Sequence, residues 1–175
     1  MTQSFRYPNL VAGTRDAGGL ATVVHGGHLI PRVALSAAPG GWAYALHNAN
    51  LHENFAITRE TFRLRHGVSY ALSLWAAATG NVSSMDIYVL ANNTSDYGWI
   101  AASTLGISPA SGGGFLSFDF SLKEASREDW EYYVRFDNNR STDGNDSTLY
   151  IADPMLCEST TPRAWAPAVG EVLPE

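Results

Sequence analysis

A two-sheet antiparallel β-sandwich is the fold that this chain of 175 residues predicts. Three observations lead there. Short segments rich in aromatic and β-branched side chains recur, each bounded by clusters of Gly, Asn, Pro or Ser. The strongest of them alternate apolar with polar residues, the period of a half-buried strand and not of a helix. Charged residues make up only 16% of the sequence, too few to clothe a set of surface helices, while aromatic residues reach 11%.

The segments add up to about eight or nine strands. Residues 42–47, 68–77, 84–90, 116–122, 132–138 and 147–156 are the clearest, and 9–12, 29–36, 55–57, 62–64 and 99–103 are weaker. Turn signals separate them, among them Ala38-Pro-Gly-Gly41, Thr79-Gly-Asn81, Ser111-Gly-Gly-Gly114 and the polar run 138–146. The stretch 123–130, the one place where a helix might wind, is charged at most positions and reads as a loop. Length favours one domain, residues 1–159, followed by a Pro- and Ala-rich tail, 160–175, expected to be loosely held.

Composition excludes several function classes. The net charge is −6 and Lys123 is the only lysine, so a nucleic-acid backbone is not the expected partner. No apolar run reaches the length of a membrane span, and the first residues lack the pattern of a signal peptide. The expectation is a protein not inserted in membranes, which reaches the outside on a larger particle or by lysis. With Cys157 as the single cysteine, no intrachain disulfide supports the fold.

Alternation divides each strand into two faces. Tyr70, Leu72 and Leu74 share one side of their segment, as do Met85, Ile87 and Val89, then Leu116, Phe118 and Phe120, and finally Tyr132, Val134 and Phe136. These faces are the expected core, joined by Ile151. The opposite faces carry Trp75, Asp86, Tyr88, Asp119, Tyr133, Arg135 and Asp137. Aromatic rings beside carboxylates and a guanidinium suit a sugar, whose C–H groups stack on rings and whose hydroxyls take bidentate hydrogen bonds. If the four segments share a sheet, these residues converge on one concave patch. An ordinary solvated face with cross-strand Asp–Arg pairs carries the same residue types. Tyr97 and Trp99, beside an Asn-rich loop, form an alternative stacking platform, while Trp42 with Tyr44 reads as either core or platform.

Nucleophile elbows, zinc-protease helices, P-loops and dinucleotide fingerprints are all missing from the sequence. Carboxylate pairs such as Asp86 with Asp119 or Asp137 leave a glycoside hydrolase or lyase as a minor reading, and the main expectation is no enzyme. His25-Gly-Gly-His28 lacks a third metal ligand in register. The run Asp137-x-Asn139-x-Ser141-x-Asp143 starts like a calcium loop, but Thr142 stands where glycine is demanded and Thr148 where a bidentate Glu belongs.

The runs Tyr70-Ala-Leu-Ser-Leu-Trp-Ala76, Asp86-Ile-Tyr-Val-Leu90 and Tyr133-Val-Arg-Phe-Asp137, with Leu149-Tyr-Ile-Ala-Asp-Pro-Met-Leu156, resemble the jelly-roll (galactose-binding-like) carbohydrate-binding modules attached to bacterial glycoside hydrolases. The ending Cys157-Glu-Ser-Thr-Thr-Pro-Arg-Ala-Trp-Ala-Pro-Ala168 resembles the close of such modules in phage tail, baseplate and virion-fibre proteins. The resemblance implies a structural calcium as the only cofactor, with Asp153, and from the loop pattern Asp137, as its ligands. It further implies a non-catalytic module on a phage or prophage virion, recognising host surface polysaccharide and contacting other virion proteins, with homo-oligomers allowed. The alternative is a structural decoration or adaptor protein that binds another virion subunit.

Overall fold

The computed structural model describes residues 7–92, 99–108 and 112–170. Among the described residues eleven strands, more than the eight or nine expected, form two antiparallel sheets. One sheet has six strands: β1 (Leu20–Val23), β2 (Gly26–Leu29), β5 (Glu53–Thr58), β7 (Ser84–Ala91), β8 (Trp99–Gly106) and β10 (Tyr132–Asn139), in the order β2-β1-β5-β10-β7-β8. The other has five: β3 (Arg32–Ala34), β4 (Trp42–Asn48), β6 (Ser69–Ala78), β9 (Gly114–Ser121) and β11 (Ser147–Glu158), in the order β3-β4-β11-β6-β9. The all-β two-sheet jelly-roll expectation holds.

Alternation places the core where the sequence put it. Tyr70, Leu72, Leu74, Met85, Ile87, Val89, Tyr132, Val134, Phe136 and Ile151 are buried between the sheets, with Phe118 and Phe120 packed against them. The segment 9–12 forms an isolated bridge, Asn9 to Ala168, instead of a strand, and 62–64 contributes only the bridge Phe62 to Tyr132. Pro31, which has no N–H to give a ladder, divides 29–36 between β2 and β3. Strand β1 and all of β2 before Leu29 fall outside the expected segments, because four residues are too few to show a period.

Two polar devices fasten the sandwich. At one end the buried Asn138 of β10 and Asn48 of β4 tie the sheets together: Asn48 Nδ2 donates to the Asn138 carbonyl (2.7 Å) and Asn138 Nδ2 to the Leu46 carbonyl (2.9 Å). The second device lies at a bulge in β11, where pairing with β6 shifts register between Ala152 and Met155 and Asp153 adopts φ +52°. Asn9 fills this bulge, donating to the Pro154 carbonyl (2.9 Å) and accepting from the Leu156 N–H (3.0 Å). The chain after Glu158 is held as well. Ser73 Oγ donates to the Arg163 carbonyl (2.9 Å), Trp165 Nε1 to Thr14 Oγ1 (2.8 Å), and Asn9 N–H to the Pro167 carbonyl (3.3 Å). As far as Ala168 the tail therefore docks on the body, through its carbonyls and its indole.

Candidate functional site

The outer face of the six-stranded sheet gathers the charged and aromatic side chains of β5, β7 and β10. Core parity on these strands turns Phe55, Asp86, Tyr88, Tyr133, Arg135 and Asp137 outward. Register then sets Arg135 between Tyr88 and Ile57, and Asp137 between Asp86 and Phe55.

Arg135 is the hub. Its Nε and Nη2 donate to the two Asp137 oxygens at 2.6 and 2.8 Å, and Nη2 also lies 2.9 Å from Glu53 Oε1. The guanidinium stacks 4.1 Å from the Phe55 ring centroid and 5.8 Å from that of Tyr88. Burial works against the Arg135 charge, but Asp137 and Glu53 outweigh it and raise its pKa. Asp137 is only 1% exposed, and burial pushes its carboxyl up against the pull of Arg135. Burial, then the charges of Asp86 and Asp137, also raise the Tyr88 phenol, which stays a protonated donor. Asp86 accepts from Thr104 Oγ1 (2.6 Å) and Asn139 Nδ2 (2.8 Å). A carboxylate has about four lone-pair sites, so acceptor capacity remains. Beside it lies a shallow groove of about 120 Å³ lined by Asp86, Tyr88, Ala102, Ser103 and Thr104.

The arrangement presents a phenol donor, a partly free carboxylate and a stacked ring–guanidinium surface, all held in place by neighbours. A larger cleft of about 390 Å³ opens at the sandwich end, around Gly13, Asp16, Gly19, Arg59 and Glu60, but no aromatic side chain lines it.

Two residues expected in the patch lie elsewhere. Strands β6 and β9 pair with each other in the five-stranded sheet, so Trp75 and Asp119 face away from Tyr88, Tyr133 and Arg135, across the thickness of the sandwich. Trp75 does point away from the main core, yet it is 5% exposed, enclosed by Ala38, Ala43, Ala77 and Ala152 with Leu35 and Tyr150 against them. No sugar reaches its ring. Asp119 is exposed on the edge strand β9. Tyr44 belongs to the core, whereas Trp42, two residues earlier at the strand start, is 48% exposed. Tyr97 lies outside the described residues, as does the side chain of Trp99, whose backbone pairs with Leu90 at the start of β8. Sequence reading did not assign Glu53, Phe55, Thr104 or Asn139 to this face. Phe55 lies in the segment 55–57 recognised as a weak strand, which was the available signal, and the observed strand extends it back to Glu53.

The two residues expected as calcium ligands are each engaged by an arginine. Asp137 and Asp153 lie on different sheets, and each is a bidentate partner of an arginine. Arg15 donates to the two Asp153 oxygens at 2.7 and 2.6 Å and stacks 3.7 Å from the Trp165 ring, so the cation beside Asp153 is a guanidinium. Among the described residues no three His, Cys, Asp or Glu side chains cluster as metal ligands. Of the suggested hydrolytic pairs, one is separated and the other is brought together with one member buried. Asp119 is on the other sheet, and Asp137, opposite Asp86, is closed over by Arg135.

No family model matches the chain, and no curated protein matches it in sequence. Solved structures do share its fold. A carbohydrate-binding module of family 4 aligns over 83% of this chain and 98% of its own, with TM-score 0.56 and 14% identity. A family 16 carbohydrate-binding module aligns over 72% and 83%, with TM-score 0.51 and 14% identity. The enzymatically active domain of tailspike protein 4 of bacteriophage CBA120 aligns over 85% of this chain and 21% of its own, with TM-score 0.57 and 11% identity. The chain is thus a jelly-roll β-sandwich, of the architecture seen in carbohydrate-binding modules.

Proposed function

We propose that this protein is a non-catalytic carbohydrate-binding module whose ligand lies on the outer face of the six-stranded sheet. The observation that carries the reading is Arg135, pinned by Asp137 and Glu53 over the Phe55 ring and near that of Tyr88, beside a groove with Tyr88 and Asp86 on its wall. Fixed donors, acceptors and ring surface on one face are what sugar recognition requires, because binding then orders few side chains. The fold shared with carbohydrate-binding modules agrees with this reading. In its fuller form the module belongs to a phage or prophage virion and recognises the surface polysaccharide of a bacterial host, contacting other virion proteins. The ending 157–168 and the likeness to a tailspike domain support that form.

Glycan-array binding of the parent, with Tyr88→Ala and Arg135→Lys as variants, tests the site. Loss of binding in both variants, measured below their melting ranges, is the expected result, and full binding by both would remove the face from consideration. A second reading, a virion adaptor, is favoured by Phe115, 71% exposed on the edge strand β9. An array with no hit, together with loss of virion association in Phe115→Ser, would select it.

A further inference from the structure

The six-stranded sheet is sparsely charged. Its strands contain four charged residues, Glu53, Asp86, Arg135 and Asp137, and three of them are acidic. All four sit on the candidate face. The single positive charge is already paired: Arg135 grips both Asp137 oxygens and contacts Glu53, and its guanidinium carbon lies 4.1 Å from the Phe55 ring centroid. A ligand carboxylate or sulfate approaching Arg135 would meet two carboxylates already paired with it. Among the described residues Asp86 has no cationic partner: its oxygens accept from Thr104 and Asn139, both neutral. Charges at the sheet margins do not reverse this balance. Arg59 and Glu60, just past β5, offset one another, and Arg140, just past β10, turns to Asn50 (3.3 Å).

Resting on the glycan reading of this face, we infer that the module takes an uncharged polysaccharide and rejects polyanionic ones, with Glu53 and Asp86 as the residues that exclude anions. Uncharged hydroxyls find a phenol donor, carboxylate acceptors and ring surface. An anionic sugar meets like charge beside the groove and loses solvation without gaining a free cation. Specificity here comes from a repulsive element and not from an added contact.

Affinity electrophoresis tests the inference, in gels cast with neutral galactomannan, xyloglucan or arabinogalactan and with the polyanions polygalacturonate and alginate. The parent is expected to be retarded by at least one neutral polysaccharide and by neither polyanion. In Glu53→Gln/Asp86→Asn, which keeps side-chain shape while removing two negative charges, the ratio of polyanion to neutral retardation is expected to rise about tenfold at low salt and to fall back at high salt. Retardation of the parent by either polyanion, or an unchanged ratio in the double variant, overturns the inference while leaving the glycan reading in place. Retardation by no polysaccharide brings down the glycan reading, and this inference with it.

Discussion

Arg15 and Asp153, 138 residues apart in the chain, form a bidentate pair at 2.6 and 2.7 Å that fixes the N-terminal segment to the bulge of the last strand. Their surroundings differ. The Asp153 side chain is 7% exposed and that of Arg15 is 36%. Removing Arg15 leaves a buried carboxylate unpaired, whereas removing Asp153 leaves a guanidinium that still reaches water. Arg15→Ala is therefore expected to cost about 3 kcal/mol. Asp153→Asn is expected to cost about 1 kcal/mol, because an amide oxygen still accepts from Arg15 and Asn tolerates the positive φ. Urea titrations of both variants check the asymmetry, and equal losses would contradict it.

Calcium at millimolar concentration, or its removal by a chelator, is expected to leave the melting temperature unchanged, because guanidiniums already balance Asp153 and Asp137. A stabilisation that grows with calcium concentration in scanning calorimetry would contradict that expectation.

Trp75 serves the fold and not the ligand. Trp75→Ala is expected to cost about 3–5 kcal/mol, similar to Phe136→Ala in the main core. Gly113→Ala should be destabilising too, since a Cβ there would stand 2.3 Å from Trp75 Cζ2 and Gly113 has φ +112°. Denaturant midpoints measure both effects. Folded Trp75→Phe protein is expected to bind glycan as the parent does.

Arg135→Lys is expected to affect two properties. An ammonium cannot reproduce the paired bonds to Asp137 or lie flat on Phe55, so the buried carboxylate loses part of its compensation. A loss of about 1–3 kcal/mol in stability should accompany weaker glycan binding. Calorimetric titration below the melting range separates the two.

The 139–146 loop gives a pH dependence with a defined sign. Asp143 accepts from Asn81 Nδ2 (2.9 Å) and the Asn145 N–H (3.0 Å), and these bonds, that from Asn81 foremost, hold its carboxyl well below the usual carboxylate range. A depressed pKa in the folded state means that the contribution is complete above the ordinary Asp value. As pH falls below about 4, the unfolded chain takes up a proton that the folded chain refuses, and stability declines. Asp143→Asn is expected to show a shallower decline of melting temperature between pH 5 and about 2. A parallel decline would refute the assignment.

The sequence by itself determined which side of each strand faces inward. The period of two is local, so the core positions Leu72, Ile87, Val134 and Phe136 were legible from their neighbours alone. It also brought Tyr88, Tyr133, Arg135 and Asp137 to the outside of their strands. What it left open was which outside. Parity separates inward from outward but does not say which sheet a strand joins, and that depends on pairings between segments far apart in the chain. Once β6 paired with β9 and β11, and β10 with β5 and β7, Trp75 and Asp119 were carried to the opposite surface, while Glu53 and Phe55 were brought to Arg135. Tertiary structure likewise decided that Trp75, outward by parity, is covered, because Ala38 and Gly113 come from turns whose course no local pattern specifies.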